Sequence, residues 1–131
     1  MDRNKKLTPT EWEIMESVWE LGGAPSVREV LEHSFANGRK AYTTVQTIMN
    51  NLEKKGLLVR KKIGLVNFYS PLKIRSQIVQ QELSSIISRV FKGSAPAMAN
   101  YLINSDRLTL DEIGNLKQLI TDKESELRVR K

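Results

Sequence analysis

The 131 residues predict a mainly α chain interrupted by one small β-hairpin. Apolar residues recur at helical spacing over most of the length. Three capping boxes mark helix starts at Thr8, Ser26 and Thr109. Only between Gly56 and Pro71 does the apolar period fall to two.

The first helix opens at Thr8-Pro9-Thr10-Glu11, where Thr8 caps and Pro9 occupies a position whose missing N–H costs nothing. Trp12, Met15, Val18 and Trp19 form its inner side, and Gly22-Gly23 end it. Ser26-Val27-Arg28-Glu29 opens a shorter second helix with Val27, Val30 and Leu31 inward. Phe35 is expected to pack under its end, before a turn at Asn37-Gly38. The third helix, from Tyr42 to a stop at Gly56, turns Val45, Ile48, Met49 and Leu52 to the core at i, i+3, i+4 and i+7.

Alternation then sets Leu57, Val59 and Lys61 on one strand against Val66 and Phe68 on the next, with Ile63-Gly64-Leu65 as the turn. Three helices followed by a basic two-stranded hairpin describe a winged helix-turn-helix over residues 1–73, with the hairpin as wing.

Residues 74–131 are read as a helical dimerisation domain. Val79, Leu83, Ile86 and Val90 repeat at 4, 3 and 4. Gly93, Ser94 and Pro96 break that helix, and a small apolar segment follows from Ala97 to Ile103. The capping box at Thr109 starts a last stripe of Ile113, Leu116, Ile120 and Leu127, and the tail from Arg128 is expected to fray. Roughly 55 residues of helix with such narrow stripes cannot close a core alone. A two-fold homodimer that pairs these helices is therefore expected.

Charge is unevenly placed. Arg39, Lys40, Lys54, Lys55, Arg60, Lys61 and Lys62 stand against Glu53 alone, so residues 39–62 carry the whole net charge of +6. Between these cationic clusters, the outer face of the third helix is neutral and hydrogen-bonding: Thr43, Thr44, Gln46, Thr47, Asn50 and Asn51. Short neutral donors and acceptors suit base edges, and flanking cations suit phosphates. The expected DNA-binding set is Arg39, Lys40, Tyr42, Thr43, Thr44, Gln46, Thr47, Asn50, Lys54, Arg60, Lys61 and Lys62. Taken without the preceding helices, Arg60 to Lys62 would be better explained as a charged edge strand; with them, phosphate contact is the favoured reading.

Other chemistry finds no constellation here. His33 is the only histidine and falls late in the second helix, where a capping or solvent-facing role is expected. There is no cysteine, so disulfides and thiolate metal sites are excluded and a reducing cytoplasm is the expected location. No apolar run approaches the ~20 residues that span a bilayer, and the start MDRNKKLTPTEWE lacks the apolar core of a signal peptide. Gly22-Gly23 follows a helix rather than a strand, so it makes no phosphate loop. Neither catalysis, metal nor cofactor is expected.

With these elements in order, the chain resembles the BlaI/MecI/CopY family of bacterial penicillinase-type repressors over about Leu7 to Leu127. The carriers are LTPTEWEIMESVWELGGAPSVREVLE, AYTTVQTIMNNLEKKGLL, NFYSPL and ANYLINSDRLTLDEIGNLKQLI. The resemblance implies a homodimeric transcriptional repressor on a palindromic DNA operator. Thr43, Thr44, Gln46 and Thr47 would then face bases or nearby phosphates, with Arg39, Lys40, Lys54 and the wing lysines on the backbone. In members paired with a membrane sensor, a protease cuts an Asn–Phe bond in the C-terminal helices. The aligned bond here is Asn100-Tyr101, where tyrosine replaces phenylalanine and a plain packing role is the alternative. The copper-responsive branch senses metal through a cysteine cluster that this chain lacks. A winged-helix module that binds protein, and an architectural DNA binder without sequence preference, remain the alternatives.

Overall fold

The computed structural model describes residues 6–130. Its elements are α1 (Pro9–Leu21), α2 (Val27–Ser34), α3 (Tyr42–Lys54), β1 (Leu58–Ile63), β2 (Val66–Pro71), α4 (Arg75–Val90), α5 (Ala95–Ile103) and α6 (Leu110–Val129). All three capping boxes form, at Thr8 with Glu11, Ser26 with Glu29 and Thr109 with Glu112. The sequence reading of a helix–helix–helix–hairpin order followed by further helices is the observed order.

Compaction divides the chain into a first unit ending at Glu82 and a second from Leu83 to Lys131, so the division falls inside α4. Ile14, Met15 and Val18 of α1, Val27 and Val30 of α2, and Val45, Met49 and Leu52 of α3 make the first unit's core. Leu7, Phe35, Leu57, Leu58, Tyr69 and Ile78 complete it. Ile78 draws the start of α4 into the first unit, past residue 73, where the sequence reading ends the winged helix after its hairpin. Glu82 adds to this: its carboxylate accepts from the Leu7 backbone N–H at 3.2 Å and from the Trp12 indole at 3.4 Å.

The tryptophans are half-buried at the core's rim, edge to face at 6.0 Å. Trp19 donates its indole N–H to the Lys73 carbonyl at 3.0 Å. An indole carries an apolar body and a donor that needs a partner, so the rim suits it better than the centre.

The hairpin differs from the alternation reading in phase. Leu57 lies before β1, and the buried pair on the core side is Leu58 and Tyr69, while Val59 is 47% exposed. Register pairs Arg60 with Tyr69 and Lys61 with Phe68. Two adjacent leucines at 57 and 58 allow either phase, and the core takes both of them, Leu57 from the loop and Leu58 from the strand. Gly64, at φ 64°, opens a two-residue turn with Leu65, and Ile63 remains in β1. The Tyr69 N–H donates to the Pro25 carbonyl at 2.9 Å and Ser26 bridges Phe68, so the segment before α2 flanks the wing as a third, minimal strand.

The second unit holds the rest of α4 with α5 and α6, and none of its described residues is buried. Ser94 caps α5, whose first turn accommodates Pro96. Phe91 and Tyr101 pack with ring centroids 5.7 Å apart. The tail expected to fray from Arg128 stays helical to Val129, where Arg128 pairs with Glu124 at 2.9 Å one turn back.

Candidate nucleic-acid interface

Helix α3 exists because its apolar stripe has a core to fill: Val45, Met49 and Leu52 are buried and Ile48 packs partly against them. That fixes which residues remain outside. Thr43, Thr44, Thr47, Asn51 and Lys54 are exposed, and Gln46 is half-buried beside them. The neutral ridge expected from the sequence thus lies on the surface except at Asn50.

The cations around it fall into two groups. Arg39 bonds Glu13 at 2.6 Å and the Ser34 carbonyl at 3.1 Å, and its guanidinium lies over the Phe35 ring. Lys55 donates to both oxygens of Glu11, at 2.8 and 3.0 Å, and to the Lys6 carbonyl. Arg60 pairs with Glu53, Nε to Oε1, at 3.5 Å. Lys40, Lys54, Lys61 and Lys62 make no ion pair among the described residues. The seven cations of residues 39–62 therefore leave four lysines uncommitted, one before α3, one at its last turn and two on β1. Like charges repel when gathered, and carboxylates of α1 and α3 relieve that in the paired three.

Asn50 sits differently from the other polar residues of α3. It is half-buried, and its Oδ1 accepts from the Tyr69 hydroxyl at 2.7 Å and from Arg60 Nη1 at 3.4 Å. One side of Asn50 thus holds the wing against α3, and its oxygen is not presented outward. Burial pushes the Tyr69 hydroxyl above its ordinary 10.0, with Arg60 pulling partly the other way, so the phenol stays protonated and donating.

Arg28 was not anticipated. Its guanidinium lies over the Tyr42 ring, 5.2 Å from the centroid, which brings a cation from α2 to the first turn of α3. In the sequence Arg28 reads only as an interior position of a capping box, and nothing in its spacing links it to Tyr42. His33 is exposed in the last turn of α2, as expected, and has a further role. It bridges α2 to α1, with Nδ1 2.9 Å from Ser17 Oγ and Nε2 3.4 Å from Glu20.

Of the residues expected to pair two chains, Val79 lies in the first unit and is half-buried, as are Ile86, Ile113 and Leu116 in the second. Leu83, Val90 and Ile120 are exposed, Ile120 at 63%. Asn100 and Tyr101 fall within α5, both exposed, Tyr101 at 72% even with its ring against Phe91. Among the described residues no group of three His, Cys, Asp or Glu could hold a metal ion, and no helix is long and apolar enough to cross a membrane.

This arrangement defines a winged helix with a neutral polar ridge flanked by lysines. The penicillinase repressor family model matches residues 7–122, and the chain belongs to that family. It is 25% identical over 122 residues to the methicillin resistance regulatory protein MecI of Staphylococcus aureus, covering 93% of this chain and 98% of MecI. Identity is also 25% over 122 residues to the penicillinase repressor of Bacillus licheniformis, covering 93% and 94%. The solved DNA-binding domain of the repressor BlaI superposes with a TM-score of 0.50 at 28% identity, over 58% of this chain and 92% of that domain.

Proposed function

We infer that the chain is a sequence-specific DNA-binding transcriptional repressor that occupies a palindromic operator as a homodimer. The observation that carries this is the surface ridge of exposed Thr43, Thr44 and Thr47 with half-buried Gln46, set between Lys40 and Lys54, with Lys61 and Lys62 on the adjoining hairpin. An α-helix fits the major groove, where each base pair presents its own pattern of donors, acceptors and methyl groups. Hydroxyls and a carboxamide can match such patterns, whereas lysines give affinity without sequence information. Occupancy of a promoter then excludes polymerase, and the reading invokes no cofactor.

The homodimer follows from the second unit. Leu83, Val90, Leu102, Ile103, Leu119, Ile120 and Leu127 are all exposed large apolar side chains there. A monomer leaves few such patches open, and a second copy supplies identical apolar stripes under two-fold symmetry. Cleavage at Asn100-Tyr101 by a sensor protease would release DNA by weakening this pairing. The bond is exposed, but α5 must unwind before a protease can take an extended segment.

Selection from a pool of random duplexes tests the reading. A consensus of two inverted half-sites is the expected outcome. Uniform retention of all duplexes would instead mark an architectural binder, and no retention a protein-binding module.

A further inference from the structure

Glu53 is the single carboxylate among the seven cations of residues 39–62, and its placement is specific. It lies on α3 one turn after Asn50, and both side chains meet Arg60 of β1: Glu53 Oε1 at 3.5 Å from Nε, and Asn50 Oδ1 at 3.4 Å from Nη1. Arg60 stands opposite Tyr69 in the hairpin register, and Tyr69 holds the same Asn50 oxygen. The guanidinium is therefore drawn toward α3 rather than along the wing, while its side chain remains 41% exposed.

We propose that Glu53 restrains DNA binding by keeping Arg60 from contacting phosphate. This rests on the DNA-binding reading above. A half-exposed ion pair is a weak tie, so a phosphate could take Arg60 from Glu53, but the released carboxylate would then face the polyanion. The exchange gains one attraction and creates one repulsion. Arg60 therefore stays with Glu53 when duplex binds, and affinity for every sequence is set lower than the cation count would give. A repressor that must leave its operator gains from such a limit. The Asn50–Tyr69 bond keeps the hairpin in place whether or not Arg60 moves, which separates holding the wing from restraining its charge.

The test measures binding of the full chain to a short random-sequence duplex as a function of salt. Glu53→Gln keeps the side chain's size and removes its charge. The expected result is about two- to fivefold tighter binding at low salt, the scale of one exposed charge pair. The log–log salt dependence should steepen by about one unit per protomer as one more phosphate is neutralised. Arg60→Ala in the Glu53→Gln background should erase both changes. Unchanged or weaker binding by Glu53→Gln, or a gain that survives loss of Arg60, would overturn the restraint alone. No salt-dependent binding by the unaltered chain would overturn the DNA-binding reading and the restraint with it. A purely structural role for Glu53 would lower thermal stability and leave the salt slope where it was.

Discussion

The Tyr69 hydroxyl donates a 2.7 Å hydrogen bond to Asn50, joining the second strand of the wing to the C-terminal half of α3. Tyr69 is fully buried, so its hydroxyl would be a costly orphan without this acceptor. Tyr69→Phe should destabilise the fold by about 1 kcal/mol, the net value of one such bond. Burial raises the phenol's pKa in the folded state above 10.0. Its contribution is then complete below the unfolded value and is lost as pH rises through the folded one. Denaturant titrations should show a constant gap between the unaltered chain and Tyr69→Phe from neutral pH to about 9, narrowing above that. A gap that widened with alkalinity would contradict the assigned donor.

Lys55 is engaged within the fold by Glu11 and is not among the cations proposed to meet phosphate. Glu11, 7% exposed, caps α1 and pairs with Lys55, so removing the ammonium strands a buried carboxylate. Lys55→Met should cost ~1–2 kcal/mol, less than the ~3–5 of a fully enclosed pair because Lys55 keeps some solvent contact. Calorimetry should record the loss. The salt slope of duplex binding should not change, and a slope reduced by one unit would return Lys55 to the interface.

Four uncommitted lysines per protomer also fix an electrostatic expectation. With about 0.9 counterion released per neutralised phosphate, a dimer using only these should show a log–log salt slope near −7. Participation of all seven cations would push it toward roughly −13. Fluorescence anisotropy across a salt series distinguishes the two.

Pairing of the second units predicts that Ile120→Glu with Leu127→Glu yields a monomer in sedimentation velocity. Both side chains are exposed on α6, so their replacement should leave helicity intact. A dimer that persisted with both charges in place would remove α6 from the interface.

The architecture was legible because its signals are local. Capping boxes at Thr8, Ser26 and Thr109 need only four consecutive residues, and the stripe Val45–Ile48–Met49–Leu52 needs only two turns. What was not legible depends on partners distant in sequence. Asn50 shares the polar side of α3 with Thr43 and Thr47, and only the register that sets Tyr69 opposite Arg60 brings the wing to its oxygen. Arg39, Lys55 and Arg60 look like Lys61 in a charge count, yet carboxylates at 13, 11 and 53 engage them. The phase of β1 reads one residue early because Leu57 and Leu58 are adjacent and both are buried. The start of α4 joins the first unit through Ile78, a residue outside the Val79–Leu83–Ile86–Val90 repeat.

Base preference at each operator position, compared between the unaltered chain and variants of α3, reaches the central claim most directly. Gln46→Ala and Thr47→Ala should each relax preference at one or two adjacent positions in both half-sites, by ~1–3 kcal/mol where a good base contact is lost. Lys61→Ala should weaken binding to all sequences alike and lower the salt slope by about one per protomer. Unchanged preferences in the Gln46 and Thr47 variants, with Lys61→Ala altering the consensus instead, would contradict the claim that the uncharged ridge of α3 reads the sequence.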